Sequence, residues 1–491
     1  MNFGGARRGG VLLHPTALPG RFGTGDIGPE AVRFLDALAR SGISIWQVLP
    51  LGPAGAGGSP YDSPSAFAGN RFLISPERLA QDGWVSELPG PGEDSEREAV
   101  NRDRLLEAAW KSFRSHATAR QKEELEAFRS AQAAWLDDWT LFDAIRRRHA
   151  NASWTTWPDP LARRDPRALG EARAELAPEI AFETFVQFQF FRQWEEIRTA
   201  ARERGISILG DLPMYVAHDS ADVWSHPELF DLAPDGSPHA VSGVPPDYFS
   251  ATGQRWGTPL YRWDAAAAEG YRWWIDRFRA NLRLADAIRV DHFRGFASFW
   301  AIPASEPTAA AGRWVPGPGK PLFDAARDAL GSLPFVAEDL GVITPEVEEL
   351  RRALALPGMK VLQFAFSRDD DPHMPHRHAH GSVVYTGTHD NDTSRGWFEN
   401  APEAERRRAA AYLGINEPDV AWAFVRAAFA SVAETAIVPM QDVLELGSVA
   451  RFNTPGRTAG NWRWRMPDNA FGPELADRLR ALAAATGRAP R

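Results

Sequence analysis

The chain has 491 residues, 44% of them hydrophobic and 24% charged, which is enough to bury a large core and excludes a disordered, collagen-like or coiled-coil chain. Its 55 lysines and arginines against 64 aspartates and glutamates leave a net charge of −9, which argues against a phosphate-seeking surface and hence against nucleic acid as a partner. With no cysteine in the sequence, disulfides, thiolate nucleophiles and cysteine-held metals are ruled out and a cytoplasmic setting is expected.

Near the N-terminus the apolar run Val11-Leu12-Leu13 stops at His14-Pro15, too short for the core of a signal peptide. Nowhere does the sequence approach the roughly 18 uncharged apolar residues of a membrane span. Short apolar runs ending in polar residues recur eight times, at 10–18, 44–51, 206–213, 285–293, 334–340, 359–366, 382–390 and 435–444. Helical patterns lie between them. Pro29-Glu30 opens one that carries Val32, Phe34, Leu35 and Leu38 and closes at Gly42. Thr344-Pro345-Glu346 opens another, with Val347, Leu350 and Leu354 before Pro357-Gly358. Strands alternating with helices predict an α/β fold, and with no nucleotide-type glycine loop after the first strand a closed (β/α)8 TIM barrel is favoured over an open sheet.

Large insertions follow the second, third and fourth strands of this single catalytic barrel, which is expected to occupy 1–491. Residues 52–204 are expected to form a largely helical subdomain; within it Phe182, Phe185, Val186 and Trp194 recur at the spacing of a helix packed on the barrel. Residues 214–283 are rich in aromatics, and 303–333 form a shorter insertion. The segment 312–320 lacks the spacing of a phosphate-binding loop.

The C-terminal ends of barrel strands carry the chemistry of this fold, and four carboxylates stand there: Asp211, Asp291, Glu338 and Asp390. Strand side chains alternate, so Arg289 and Asp291 share a face, and an inward guanidinium supports a negative charge on Asp291. Glu338 in a drier setting would keep its proton. That pair is what cleavage of a glycosidic bond with retention requires. Asp339 has the opposite parity and should face the helical layer.

Residues 287–296 (AIRVDHFRGF), 336–341 (VAEDLG) and 387–393 (GTHDNDT) resemble the catalytic segments of the 4-α-glucanotransferases of the amylomaltase family, glycoside hydrolase family 77. The likeness extends to His14-Pro15-Thr16 and to 59–70 (SPYDSPSAFAGN), 210–215 (GDLPMY), 243–261 (GVPPDYFSATGQRWGTPLY) and 453–465 (NTPGRTAGNWRWR). The resemblance implies that Asp291 is the nucleophile, Glu338 the general acid/base and Asp390 a third carboxylate gripping the donor sugar. It implies that Arg289, His389, Tyr61 and Asp211 complete the active site, with Tyr61 stacked beneath that sugar. Asp247 and Trp256 match positions in a segment over the site, and Asn461 lies with Trp462 and Trp464 in another such loop. Phe452 stands where the family suggests methionine, a change of similar bulk.

The implied substrates are maltooligosaccharides, α-1,4-glucans and glucose, joined through a 4-hydroxyl without cofactor, metal or membrane, by a monomer or weak homodimer. Aromatic faces suit the apolar C–H patch of glucose, although most of the 19 tryptophans are expected in packing. Three other readings share parts of this evidence. The same carboxylates could serve an amylase-like hydrolase or a glucan-binding protein without turnover, and His373, His376, His378 and His380 could chelate a metal.

Overall fold

The computed structural model describes residues 6–88, 95–246, 250–415, 419–457 and 459–490. These contain strands β1 (Arg8–Leu12), β2 (Ile45–Gln47), β3 (Ser207–Leu212), β4 (Ala240–Val244), β5 (Gln254–Pro259), β6 (Ala287–Val290), β7 (Ser298–Pro303), β8 (Arg313–Pro316), β9 (Phe335–Ala337), β10 (Gly358–Val361), β11 (Ser382–Tyr385) and β12 (Thr435–Pro439). Eight of them close into a parallel barrel in the order β1-β12-β11-β10-β9-β6-β3-β2. Each of the eight apolar runs supplies one barrel strand. The strands are shorter than the runs, because an apolar run can continue into the turn that follows: after β1, Pro15–Ala17 is already a 3-10 turn.

Side chains of alternate parity fill the barrel. At Gly10 the wall is tight, since a Cβ there would stand 3.0 Å from side-chain atoms of both Ile437 and Ile45. Further up, the filling turns polar: Tyr385 donates its hydroxyl to Gln47 Oε1 at 2.9 Å, and Asp211 lies in register with Arg289 on the neighbouring strand.

The first insertion is helical, with Ser95–His116 leading into Ala119–Arg148, whose start is closed by a reciprocal cap between Thr118 and Gln121. The last helix before β3, Ala177–Glu203, belongs to the barrel layer. Its Trp194 ring lies 6.3 Å from Trp46 of β2 and donates its N–H to Leu284 O at 2.8 Å. Phe185, Val186 and Trp194 are buried there and Phe182 packs beside them. Gln187 on this helix exchanges two hydrogen bonds with the backbone of Gly69, and Gln193 accepts from Ser75 N. These contacts hold the segment that begins at Tyr61.

The second and third insertions join in one antiparallel sheet, ordered β5-β4-β7-β8. The segment that carries Trp256 ends in strand β5, and the third insertion begins structured at Ser298, ahead of its expected boundary. Among the described residues no helix is long and apolar enough to cross a membrane.

Candidate active site

Arg289, near the end of β6, is the hub of the barrel mouth. Its Nη1 donates to both oxygens of Asp211, at 2.8 and 2.7 Å, and lies 2.9 Å from Asp291 Oδ1. Its Nη2 lies 4.0 Å from Glu338 Oε1. Burial alone would lower the Arg289 pKa, but Asp211, Asp291 and Glu338 outweigh it and hold the guanidinium firmly charged.

Asp291 and Glu338 each follow the last residue of a barrel strand, β6 and β9. The two turns are sewn together by backbone: Glu338 N donates to Val290 O and Phe293 N to Glu338 O. His292 adopts a left-handed conformation, φ 45°, which points its N–H at Glu338 Oε2, 2.5 Å away. Burial pushes the Glu338 carboxyl well above the usual range, with Arg289 opposing and Asp291 and Asp390 adding to the rise. Asp211 is likewise raised by burial, to about 7, against the pull of Arg289 and with Asp291 reinforcing it.

Asp211 lies within β3, one residue short of its end. Its Oδ2 also accepts from the Tyr61 hydroxyl at 2.9 Å. The Tyr61 ring stacks on His389, centroids 5.0 Å apart and planes 9° apart, and Trp462 closes over both at 6.0 Å. Burial, then the Asp211 charge, keeps the Tyr61 phenol neutral. Burial also lowers His389, against the attraction of Asp390.

Asp390 stands beyond β11 on a loop rather than at a strand end. Asn453 Nδ2 donates to its Oδ1 at 2.5 Å, His389 Nε2 lies 3.3 Å from the same oxygen, and Arg451 donates to its backbone carbonyl at 2.7 Å. Buried Asp442 holds both ends of this loop through Thr386 and Ser394. Asn453, Arg451, Asp442 and the amide of His292 are the participants the sequence reading passed over. Asn453 and His292 lie inside motifs already singled out, whereas Asp442 follows Gln441 near the end of the eighth run and belongs to no motif.

Trp256, on β5, meets the His292 ring edge-on at 4.8 Å and 87°. Tyr215 packs near both, at 6.1 and 6.2 Å. Asp247 lies outside the described residues. The Asn461 amide is engaged within its own loop, bonded to Thr454 and Arg457. Asp339 faces the helical layer, where it pairs with Arg351 at 3.0 Å and accepts from Met359 N at 2.6 Å.

The histidine run beyond β10 is held by other bonds. His373 Nδ1 accepts from Val361 N at 3.0 Å, His376 bonds the Tyr412 hydroxyl at 2.9 Å, and His378 bridges Ser431 Oγ and His373 O. Among the described residues no group of three or more histidines and carboxylates is arranged to hold a metal ion. The mouth instead presents a carboxyl driven to keep its proton beside one bridged to an arginine, a pairing suited to acid-assisted displacement at a sugar carbon.

A family model described as 4-alpha-glucanotransferase matches residues 13–470. The 4-alpha-glucanotransferase of Thermus thermophilus is 50% identical, over 98% of this chain and 98% of its own. That of Synechocystis sp. is 47% identical with the same coverage. The amylomaltase from Streptococcus agalactiae, solved in complex with acarbose, superposes with a TM-score of 0.95 at 36% identity, covering 99% of this chain and 100% of that one. The strands, the carboxylates at their ends and these likenesses agree: the chain belongs to the 4-alpha-glucanotransferase family, glycoside hydrolase family 77, and is an enzyme of that type.

Proposed function

We propose that this enzyme transfers α-1,4-glucan segments from a maltooligosaccharide donor to the 4-hydroxyl of an acceptor glucan or glucose, with retention, through a β-glucosyl ester on Asp291. The observation that carries the reading is the Arg289 fork, bonded to Asp291 and 4.0 Å from a Glu338 that burial keeps protonated.

In the first step an Asp291 oxygen bonds to the anomeric carbon while the glycosidic C–O bond breaks, and Glu338 gives its proton to the leaving 4-oxygen. Oε2 of Glu338 is occupied as an acceptor by the His292 amide, so Oε1 carries the proton. In the second step Glu338, now anionic, takes the proton of an incoming 4-hydroxyl, whose oxygen displaces Asp291 from the sugar. Two inversions restore the α configuration.

Asp390, oriented by Asn453 and His389, is placed to grip hydroxyls of the donor sugar and to favour its distortion toward the oxocarbenium shape. The Tyr61 face turned away from His389 would lie beneath that sugar. The barrel mouth is common to transferases and hydrolases, and the acceptor side decides between them. Trp256, edge-on to His292 beside the acid, favours exclusion of water and hence transfer.

Incubation with maltotriose tests the reaction. Maltotetraose and longer products with no net gain in reducing ends are expected; a steady rise in reducing ends without elongation would make the protein a hydrolase. A slowly released fluorinated glucosyl donor is expected to leave its ester on the peptide containing Asp291, and an ester on any other residue would refute the mechanism.

A further inference from the structure

Arg294 lies just past Asp291, inside the segment 287–296, and the reaction proposed above gives it no part. It belongs to the 3-10 turn Phe293–Phe296 and is only 4% exposed. Burying a guanidinium is costly unless its charge and its donors are used. Among the described residues both of its hydrogen bonds go to neutral oxygens: Nη1 donates to the backbone carbonyl of Val342, and Nη2 to Ser298 Oγ at 3.4 Å. Its guanidinium carbon lies 3.8 Å from the centre of the Trp314 ring, close enough for a cation–π contact. The arginine therefore joins the turn after Asp291, the loop after Glu338 and strand β8 of the small sheet.

The connectivity makes this joint a closed ring around the acid. From Glu338 the chain runs through Gly341 to Val342, whose carbonyl takes the Arg294 bond. From Arg294 it runs back to His292, whose N–H holds Glu338 Oε2 at 2.5 Å. Phe293 N, donating to Glu338 O at 3.2 Å, braces the ring across its middle. His292 bears the strain of this closure, a left-handed φ of 45° that a residue with a Cβ keeps only where its surroundings impose it. On one side the turn is fixed by Asp291, whose N–H donates to Leu212 O at 2.9 Å and whose carboxylate is bridged to Arg289. On the other side the fixed point is Arg294.

Backbone bonds bring β8 to this point. Gly317 N donates to Ala297 O at 2.9 Å, and Gly319 N to Phe296 O at 2.8 Å. A Cβ at Gly317 would stand 2.4 Å from Phe296 O, so a side chain there would push the two segments apart.

We propose that Arg294 is a positioning residue for proton transfer, which acts without touching the substrate by holding the His292 amide against Glu338 while the glycosidic bond breaks. This rests on the assignment of Glu338 as the acid and Asp291 as the nucleophile made above.

A donor whose leaving group needs no proton separates the two carboxyls. With α-maltosyl fluoride an Asp291 oxygen bonds to the anomeric carbon as the C–F bond breaks, and fluoride departs as the anion; with maltotriose the same displacement needs the Glu338 proton. In Arg294→Met, transfer from maltotriose is expected to fall by about 10²-fold, as for a slightly misplaced catalytic group. The pre-steady-state burst of fluoride should stay within about three-fold, because Asp291 keeps its own anchors. The alkaline limb of kcat/KM should move to lower pH, since water reaching Glu338 favours its charged form. Arg294→Lys, which can reach the carbonyl but gives up the planar stack, should recover part of the loss. Trp314→Ala alters a ring that is 40% exposed on an edge strand and so spares the fold. It should show the same split, with maltotriose transfer down by about two- to five-fold, and it decides the matter if Arg294→Met does not fold. Equal losses with both donors, or an unmoved alkaline limb, would overturn the proposal and leave Arg294 a packing residue. Glu338→Gln is the reference: if it does not separate the two donors, the assignment of the acid is wrong, whereas a split there that is absent from the Arg294 and Trp314 variants rejects the clamp alone.

Discussion

Asp211 and Arg289 face each other in register across β3 and β6, and both carboxylate oxygens of Asp211 take hydrogen bonds from the same arginine nitrogen. That nitrogen also bridges Asp291. Asp211 therefore fixes the arginine, and the arginine fixes the carboxylate that is proposed to attack. Arg289→Met would strand buried carboxyls without their cation, and a loss of about 3–5 kcal/mol in unfolding free energy is expected, measured in urea. Arg289→Lys keeps the charge but cannot span Asp211, Asp291 and Glu338 together, so a fall in kcat of about 10²–10³-fold is expected with a milder loss of stability. Wild-type turnover in the lysine variant would show that the fork is not needed.

The pH dependence has a definite sign. Burial raises the carboxyl pKa of both Glu338 and Asp211, so each binds its proton more tightly in the fold than in the unfolded chain. The stability linked to that proton is complete below the unfolded pKa and is lost as pH rises through the folded one. For Asp211 the window runs from 3.8 to about 7. Denaturation midpoints should decline with pH across it, and Asp211→Asn should flatten the decline.

Activity responds to the same proton on Glu338, which must be present for the leaving oxygen to depart. An alkaline limb in kcat/KM for maltotriose is expected, and Glu338→Gln should abolish that limb while slowing transfer by about 10²–10⁴-fold. A Gln variant with the limb intact would assign the acid elsewhere.

Asp390 depends on a residue that touches no substrate in this scheme. Asp442, fully buried, accepts from Thr386 Oγ1 at 2.5 Å, from Ser394 N at 2.7 Å and from Ser394 Oγ at 2.7 Å, and so clamps both ends of the loop carrying His389 and Asp390. Asp442→Ala leaves those donors buried and unpaired, at a cost of about 1–3 kcal/mol. Asp442→Asn, which still accepts through one oxygen, should recover part of the melting temperature. Because the loop is proposed to grip the donor, both variants should raise KM for maltotriose as well as lower kcat, and the asparagine variant should do so less.

The parts of this architecture visible in the sequence are those written in side-chain pattern. Each barrel strand appears as an apolar run, and Asp291 and Glu338 are legible because they directly follow β6 and β9. The antiparallel sheet is not, since β5 is a half-exposed edge strand with a glycine at 257 and a terminal proline, and β8 has only four residues. His292 escapes because its contribution is a backbone amide in a left-handed turn, and side-chain reasoning does not see main-chain donors. Asn461 bonds Thr454 and Arg457 within its own turn, a local role that its place among tryptophans does not announce.

Trp256 offers the most direct test of why the intermediate should await a sugar rather than water. It stands on the edge strand of the small sheet, 39% exposed, with its ring edge-on to His292, next to the turn whose amide binds Glu338. Removing the ring opens the acceptor side without touching a carboxyl, so the first displacement should slow less than the choice of second nucleophile changes. One aromatic contact is worth about 0.5–1.5 kcal/mol, which corresponds to a shift in partition of roughly two- to ten-fold. In Trp256→Ala the ratio of new reducing ends to elongated products from maltotriose should rise by that amount, and Trp256→Phe should restore most of the preference for transfer. An unchanged ratio in the alanine variant would mean that water is excluded by another part of the chain.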